Sequence, residues 1–330
     1  MKEKHYLILD CETATLDFAN EIAQGDPEKK KKIAIARPLI YDIGWTITNR
    51  KGEIIKQTQY LIAETFCIPA IFNTAYYAEK RPIYLEMLKN GKTTIKNWRE
   101  VAQQLVEDMN SVEAVGAYNS MFDFKKAIPF TELYINELYS PEFYRWREMQ
   151  YKLCERIANT PYKKDNEKDF DPNNFLFHGV KYPLFDIWGL AVTHLLNRVS
   201  YREECIKNGL ITNSGIYFKT SAESTYQYLC NKFDFIESHT ALDDAIIETY
   251  ILSKIAMRHK VDIGIKYFPF RDLGYTTDSV LNRPRINIDY VRIVYNAIQN
   301  YVNAQTENTT YVIGLLNRMA QLEKILLAAV

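Results

Sequence analysis

The sequence predicts an α/β fold. Residues 5–12, Leu39 to Thr48 and Ile54 to Ile62 read as strands. Trp98 to Met109, Ala222 to Asn231 and Asp243 to His259 read as helices. The two kinds of element are interleaved along the chain, which implies a sheet with helices packed on it.

Each element has a local reason. In the first strand Leu7 and Leu9 share one face, because alternate side chains of a strand point the same way. A turn at Asn49-Arg50-Lys51-Gly52 joins the second and third strands. Ala114 to Ala117 reads as a short strand. Thr220 and Glu223 are the expected capping box of the helix at 222–231. Thr240 with Asp243 three residues later resembles a cap for the helix that follows. No internal repeat is visible.

Composition narrows the class. A chain of 330 residues allows one large domain or two, and 47% hydrophobic with 25% charged residues describes an ordinary globule. The five cysteines, at 11, 67, 154, 205 and 230, form no Cys-x-x-Cys and no even framework, so reduced thiols in the cytoplasm are expected. The apolar run from Tyr6 to Leu9 ends at Asp10, so no secretory pattern is read there. The apolar segment Thr310 to Val330 is broken by Arg318, Glu323 and Lys324, and no membrane span is expected. Lysine plus arginine and aspartate plus glutamate each number 41, so the net charge is zero. A protein that tracks long duplex carries a basic stripe. Recognition of a strand end through metals and a few local contacts fits this balance better.

The chemistry lies in three short segments. Asp10 and Glu12 stand in Leu9-Asp10-Cys11-Glu12-Thr13, Asp123 follows Phe122, and His239 precedes Asp244 by five positions. Asp10 ends an apolar run and Asp244 precedes Ala245-Ile246-Ile247 on a helix. Carboxylates buried at such places are costly unless a cation compensates them. Hard oxygen ligands without clustered Cys or His point to Mg²⁺ or Mn²⁺, and to two-metal phosphodiester hydrolysis. Asp10 and Glu12 project from one face of the strand, about 7 Å apart along the chain. That suits two metals about 3.5–4 Å apart. Cys11 points to the other face, as a packed thiol. His5, His178, His194 and His259 show no ligand spacing.

These segments resemble the DEDDh family of 3′–5′ exonucleases, which includes the proofreading subunit of bacterial DNA polymerase III. Asp10, Glu12 and Thr13 meet the family's Asp-x-Glu-Thr motif. Asn119, Phe122 and Asp123 meet Asn-x-x-Phe-Asp, and His239 and Asp244 meet the third motif. Asp186 matches a helix-opening Asp of the family that is not a metal ligand, although Ile187 replaces the usual small hydroxyl residue. The resemblance covers about residues 5–258.

The resemblance implies a ribonuclease H-like fold with a five-stranded mixed sheet flanked by helices. It implies that Asp10, Glu12 and Asp244 hold one metal, that Asp10 bridges to a second held by Asp123, and that His239 is the general base. Thr13, Ala14, Asn119, Met121 and Phe122 would contact the terminal nucleotide. The expected substrate is the 3′ end of nucleic acid, single-stranded DNA first, and the product a nucleoside 5′-monophosphate. An RNA exonuclease or oligoribonuclease is the alternative within the class, since contacts to the 2′-hydroxyl decide it. A catalytically silent nucleic-acid-binding or docking module is the alternative outside it.

The expected organisation is an exonuclease domain at residues 1–260 and a helical C-terminal extension at 261–330. Residues 16–38 and 131–183 read as additions. The first carries Lys29-Lys30-Lys31-Lys32, read as a solvated loop or helix face, with a phosphate-contacting flap as the sharper alternative. The second is rich in aromatics, read as core, with Lys163 to Asp171 as a charged loop. Ile286 to Val302 and Thr310 to Ala329 read as helices, and their apolar stripe is expected to pack on the core, with a homo-oligomer or partner contact as the alternative.

Overall fold

The computed structural model describes residues 3–161, 174–196, 198–212, 218–259, 263, 288–304, 316, 319, 320, 322, 323 and 326. One mixed sheet organises them. Its strands are β1 (His5–Ala14), β2 (Leu39–Asn49), β3 (Ile54–Ile62), β4 (Thr94–Lys96), β5 (Ala114–Ala117), β6 (Asn174–Phe177) and β7 (Val180–Asp186). The spatial order is β4-β3-β2-β1-β5-β7-β6. β2 runs antiparallel to β1 and β3, while β5 is parallel to β1 and β7 is parallel to β5.

The sheet has seven strands, not the five expected. The additions are the two edges. β4 is only three residues long and β6 only four, too short to display a period. β7 contains Pro183, which reads against a strand because proline donates no ladder hydrogen bond. The structure places Pro183 opposite Asn174 of β6, and the ladder to β5 begins after it, at Leu184.

Alternation along β1 divides the core. Leu7, Leu9 and Cys11 enter one apolar cluster, and Tyr6 and Ile8 enter the other. The helix Ala241–His259 packs on the second face, across β1 and β2. It starts two residues before the expected Asp243. Its first N–H donor is met by Asp42, a fully buried carboxylate on β2 that accepts from Ala241 N at 2.9 Å. Gly44 makes the close approach possible. A Cβ there would lie 2.3 Å from Leu242 N.

Other expectations shift in detail. The helix Ala222–Cys230 is capped by Ser221, which accepts from Ser224 N at 3.2 Å, rather than by Thr220. Lys29 to Lys32 lie on the helix Pro27–Ala36, capped by Asp26, and this helix packs on the helix Phe143–Asn159. Arg37 Nε bonds Gln150 Oε1 at 3.0 Å and Arg147 pairs with Asp17 at 2.5 Å, so residues of the two read additions meet each other. Tyr134 and Trp146 are buried there, while Tyr139 and Tyr144 are exposed.

The loop read at Lys163 to Asp171 lies outside the described residues, as does most of the segment read as the last helix. A helix spans Ile288–Asn303, and Val291 and Leu322 are buried in the second apolar cluster. Among the described residues no helix is long and apolar enough to cross a membrane.

Candidate metal centre

Three elements bring the acidic residues together. β1 ends with Asp10 and Glu12 on the face that receives the helix Ala241–His259, and that helix presents Asp244 and Glu248 one turn apart. The extended segment before it supplies Glu237 and His239, whose backbone at His239 is left-handed with φ 51°. The turn after β5 supplies Tyr118, Asn119 and Phe122. Asn119 is left-handed too, at φ 75°, a conformation asparagine tolerates.

Asp10, Glu12, Asn119, Phe122, Glu237, His239, Asp244 and Glu248 line one cleft of about 450 Å³, with Tyr118, Trp188 and Thr220 on its wall. One ligand atom each from Glu12, His239 and Asp244 lie within 4.8 Å of one another. His239 Nδ1 stands 3.9 Å from Asp244 Oδ2 and 3.8 Å from Glu237 Oε2. On its other side the ring stacks on Tyr77, with centroids 4.3 Å apart, and Nε2 lies 3.1 Å from the Tyr77 hydroxyl.

Asp123 is placed differently. It opens a π-helical turn, Asp123–Ala127, is 2% exposed and does not line the cleft. Burial and then the Asp123 charge raise the Cys11 thiol well above its usual value, so Cys11 is a packed, protonated thiol and not a nucleophile. Its charge still acts on Asp10 and Glu248. Thr13, Ala14 and Met121 also lie outside the cleft lining, with Ala14 and Met121 buried. Asp186 caps the helix Ile187–Ala191 by accepting from Gly189 N, and its Oδ1 also accepts from Asn119 N at 3.3 Å. It holds the second-motif turn rather than entering the cleft.

The electrostatics are those of crowded, dehydrated acids. Burial raises Asp10, Glu12 and Glu248 well above the carboxylate range, and neighbouring carboxylates raise them further. Burial pushes Asp123, Asp244 and Glu237 up to about 8. His239 moves the other way: burial and then the Lys80 ammonium lower it, so the ring is neutral near pH 7. Asp123 Oδ1, Asp244 Oδ1 and Glu237 Oε1 are buried with no hydrogen-bond partner among the described residues. Buried polar oxygens are normally bonded. Orphaned carboxylate oxygens are the hard donors that fit divalent cations such as Mg²⁺ or Mn²⁺.

Glu237 and Glu248 were not read from the sequence, although each had a signal. Glu248 follows Asp244 by four residues and therefore shares its helix face. Glu237 precedes His239 by two residues in an extended segment and therefore shares its side. Comparison with known proteins names no relative: no family model, curated protein or solved structure matches the chain.

Proposed function

We propose that this protein is a metal-dependent 3′–5′ exonuclease of the DEDDh kind. The observation that carries the reading is the convergence of Asp10, Glu12, Asp244 and His239 on one cleft, with Asp123 buried behind it and carboxylate oxygens left without partners. The sheet supports it as well. Its five inner strands, β3-β2-β1-β5-β7, make a mixed core of the kind a ribonuclease H-like fold requires. The direction of hydrolysis, and the preference for single-stranded DNA over RNA, come from the motif resemblance alone.

Asp10, Glu12 and Asp244 would hold a divalent cation, with Asp123 contributing to a second. Mg²⁺ or Mn²⁺ at this place would offset the charge of a phosphodiester and of its leaving oxygen. The chain's own residues do the rest. His239, neutral and held by Tyr77, accepts the proton of the attacking water. Its Nδ1 faces the Asp244 and Glu237 carboxyl groups, at 3.9 Å and 3.8 Å. Asn119 and Phe122 line the cleft where a terminal nucleotide would sit.

The test is parallel digestion of matched DNA and RNA oligonucleotides, labelled at either end, with Mg²⁺ and Mn²⁺. Release of 5′-mononucleotides from the 3′ end is expected, slowed by a 3′-phosphate and not by a 5′ block. Absence of hydrolysis with either metal, or efficient cutting of a circular single strand, would overturn the reading.

A further inference from the structure

A second set of ligands in the cleft shares His239 with the nuclease reading and adds Glu223, which that reading does not use. Along residues 232–239 exposed and half-buried positions alternate, so Glu237 and His239 turn to the same side. Opposite them, Glu223 stands in the first turn of the helix Ala222–Cys230. Its Oε2 accepts the backbone N–H of Glu237 at 3.0 Å, which fixes the two segments against each other. One ligand atom each from Glu223, Glu237 and His239 lie within 4.8 Å of one another.

A second observation points to a ligand here. The Glu237 side chain is only 10% exposed, and its Oε1 is buried without a hydrogen-bond partner among the described residues. The nearby Lys80 ammonium is taken by the Ser238 carbonyl at 2.6 Å and by the Tyr77 ring. Two carboxylates with one imidazole are a donor set for zinc-like ions, which accept nitrogen ligands. Mg²⁺ keeps to oxygen and to water.

We propose that Glu223, Glu237 and His239 form an inhibitory cation site for Zn²⁺ or a similar nitrogen-accepting ion, beside the Asp10–Glu12–Asp244 set and joined to it through the His239 ring. An ion held there occupies an imidazole nitrogen and fixes the ring, so the proton transfer stops while Mg²⁺ sites stay intact. Binding does not depend on the nuclease reading. The inhibitory consequence rests on it.

The experiment separates the two. Zn²⁺ is titrated into metal-stripped full-length protein against a chromophoric chelator, for the parent, Glu223→Gln and Asp244→Asn. The glutamine retains an oxygen for the Glu237 N–H, and a thermal melt checks that the variant folds. Loss of one ligand should weaken Zn²⁺ binding of Glu223→Gln by about tenfold or more, the size of effect common for groups that support a metal. Asp244→Asn should change it far less. In saturating Mg²⁺, Glu223→Gln should keep the parent's rate and need about tenfold more Zn²⁺ for half inhibition. No Zn²⁺ binding by the parent, or binding lost in Asp244→Asn and kept in Glu223→Gln, overturns the site. Zn²⁺ binding as expected in a protein that hydrolyses nothing leaves the site standing and removes the nuclease reading.

Discussion

Glu248 Oε2 accepts the backbone N–H of Tyr118 at 2.9 Å, joining positions 130 residues apart. The bond ties the helix that carries Asp244 to the turn that carries Asn119 and leads into Asp123. Glu248 is 2% exposed, and burial raises its carboxyl well above the usual range, with Asp10 and Asp123 next in effect. It is therefore a strut whose charge is costly without a cation.

Two substitutions separate strut from charge. Glu248→Gln keeps an oxygen for Tyr118 and removes one buried like charge, so the metal-free protein should melt higher than the parent at pH 8. Glu248→Ala leaves the Tyr118 N–H without its acceptor and should cost about 1–3 kcal/mol in a urea unfolding experiment. If both variants destabilise equally, the charge is not under strain.

Removing a ligand should uncouple stability from activity. Asp10→Asn and Asp123→Asn each delete one member of a buried cluster of like charges. Nuclease turnover in Mg²⁺ should fall by about 10³-fold, the upper range for loss of one preorganised electrostatic group. The metal-free melting temperature should rise or hold. Parent-like turnover in both would remove these residues from the site.

The acid cluster also sets a pH dependence for the metal-free protein. Asp123, Asp244 and Glu237 titrate at about 8 when folded, against about 4 for free carboxyls. A raised folded value means that the native state binds more protons than the unfolded chain between those limits. The associated stability is complete below about pH 4 and is lost as pH rises toward 8. Melting without metal should therefore fall by about 5 °C or more from pH 5 to pH 8. Saturating Mg²⁺ or Mn²⁺ should restore it at pH 8 and do little at pH 5. A metal-free melting curve independent of pH would contradict the proposed crowding.

Much of this was legible because it follows local periods. Period two put Asp10 and Glu12 on one face, and Asp244 was legible as a carboxylate preceding Ala245-Ile246-Ile247 on a helix. What escaped depends on pairings distant in sequence. Asp42 sits within the apolar run of β2 and gave no sign that its partner was Ala241, 199 residues away. The edge strands β4 and β6 are defined by what they pair with, not by their own three or four residues. Glu237 and Glu248 were within reach of the same spacing rules. A lone glutamate that faces a cleft has the same local sequence as one that faces solvent, so the spacing alone does not distinguish them.

Gly44 offers the sharpest test of how the site is held. It lies on β2 opposite Asp10 of β1, and the helix Ala241–His259 begins directly above it. A Cβ at residue 44 would meet Leu242 N at 2.3 Å and Ala241 C at 2.6 Å. Both are backbone atoms at a helix start, so no side chain can rotate out of the way. Gly44→Ala must lift the N-terminal turn from the sheet. That turn receives its cap from Asp42 on the same strand, and it carries Asp244 with His239 just before it. Overpacking of this kind costs about 1–3 kcal/mol or more. A thermal melt should show that loss. Nuclease activity should fall further than the fraction unfolded accounts for, because the surviving folded protein holds His239 and Asp244 out of register with Asp10 and Glu12. Gly116→Ala serves as the control: its Cβ would also clash, but with the Phe185 ring, and it lies outside the cleft lining. If Gly44→Ala loses no more activity than Gly116→Ala at matched stability, the seating of this helix does not position the site.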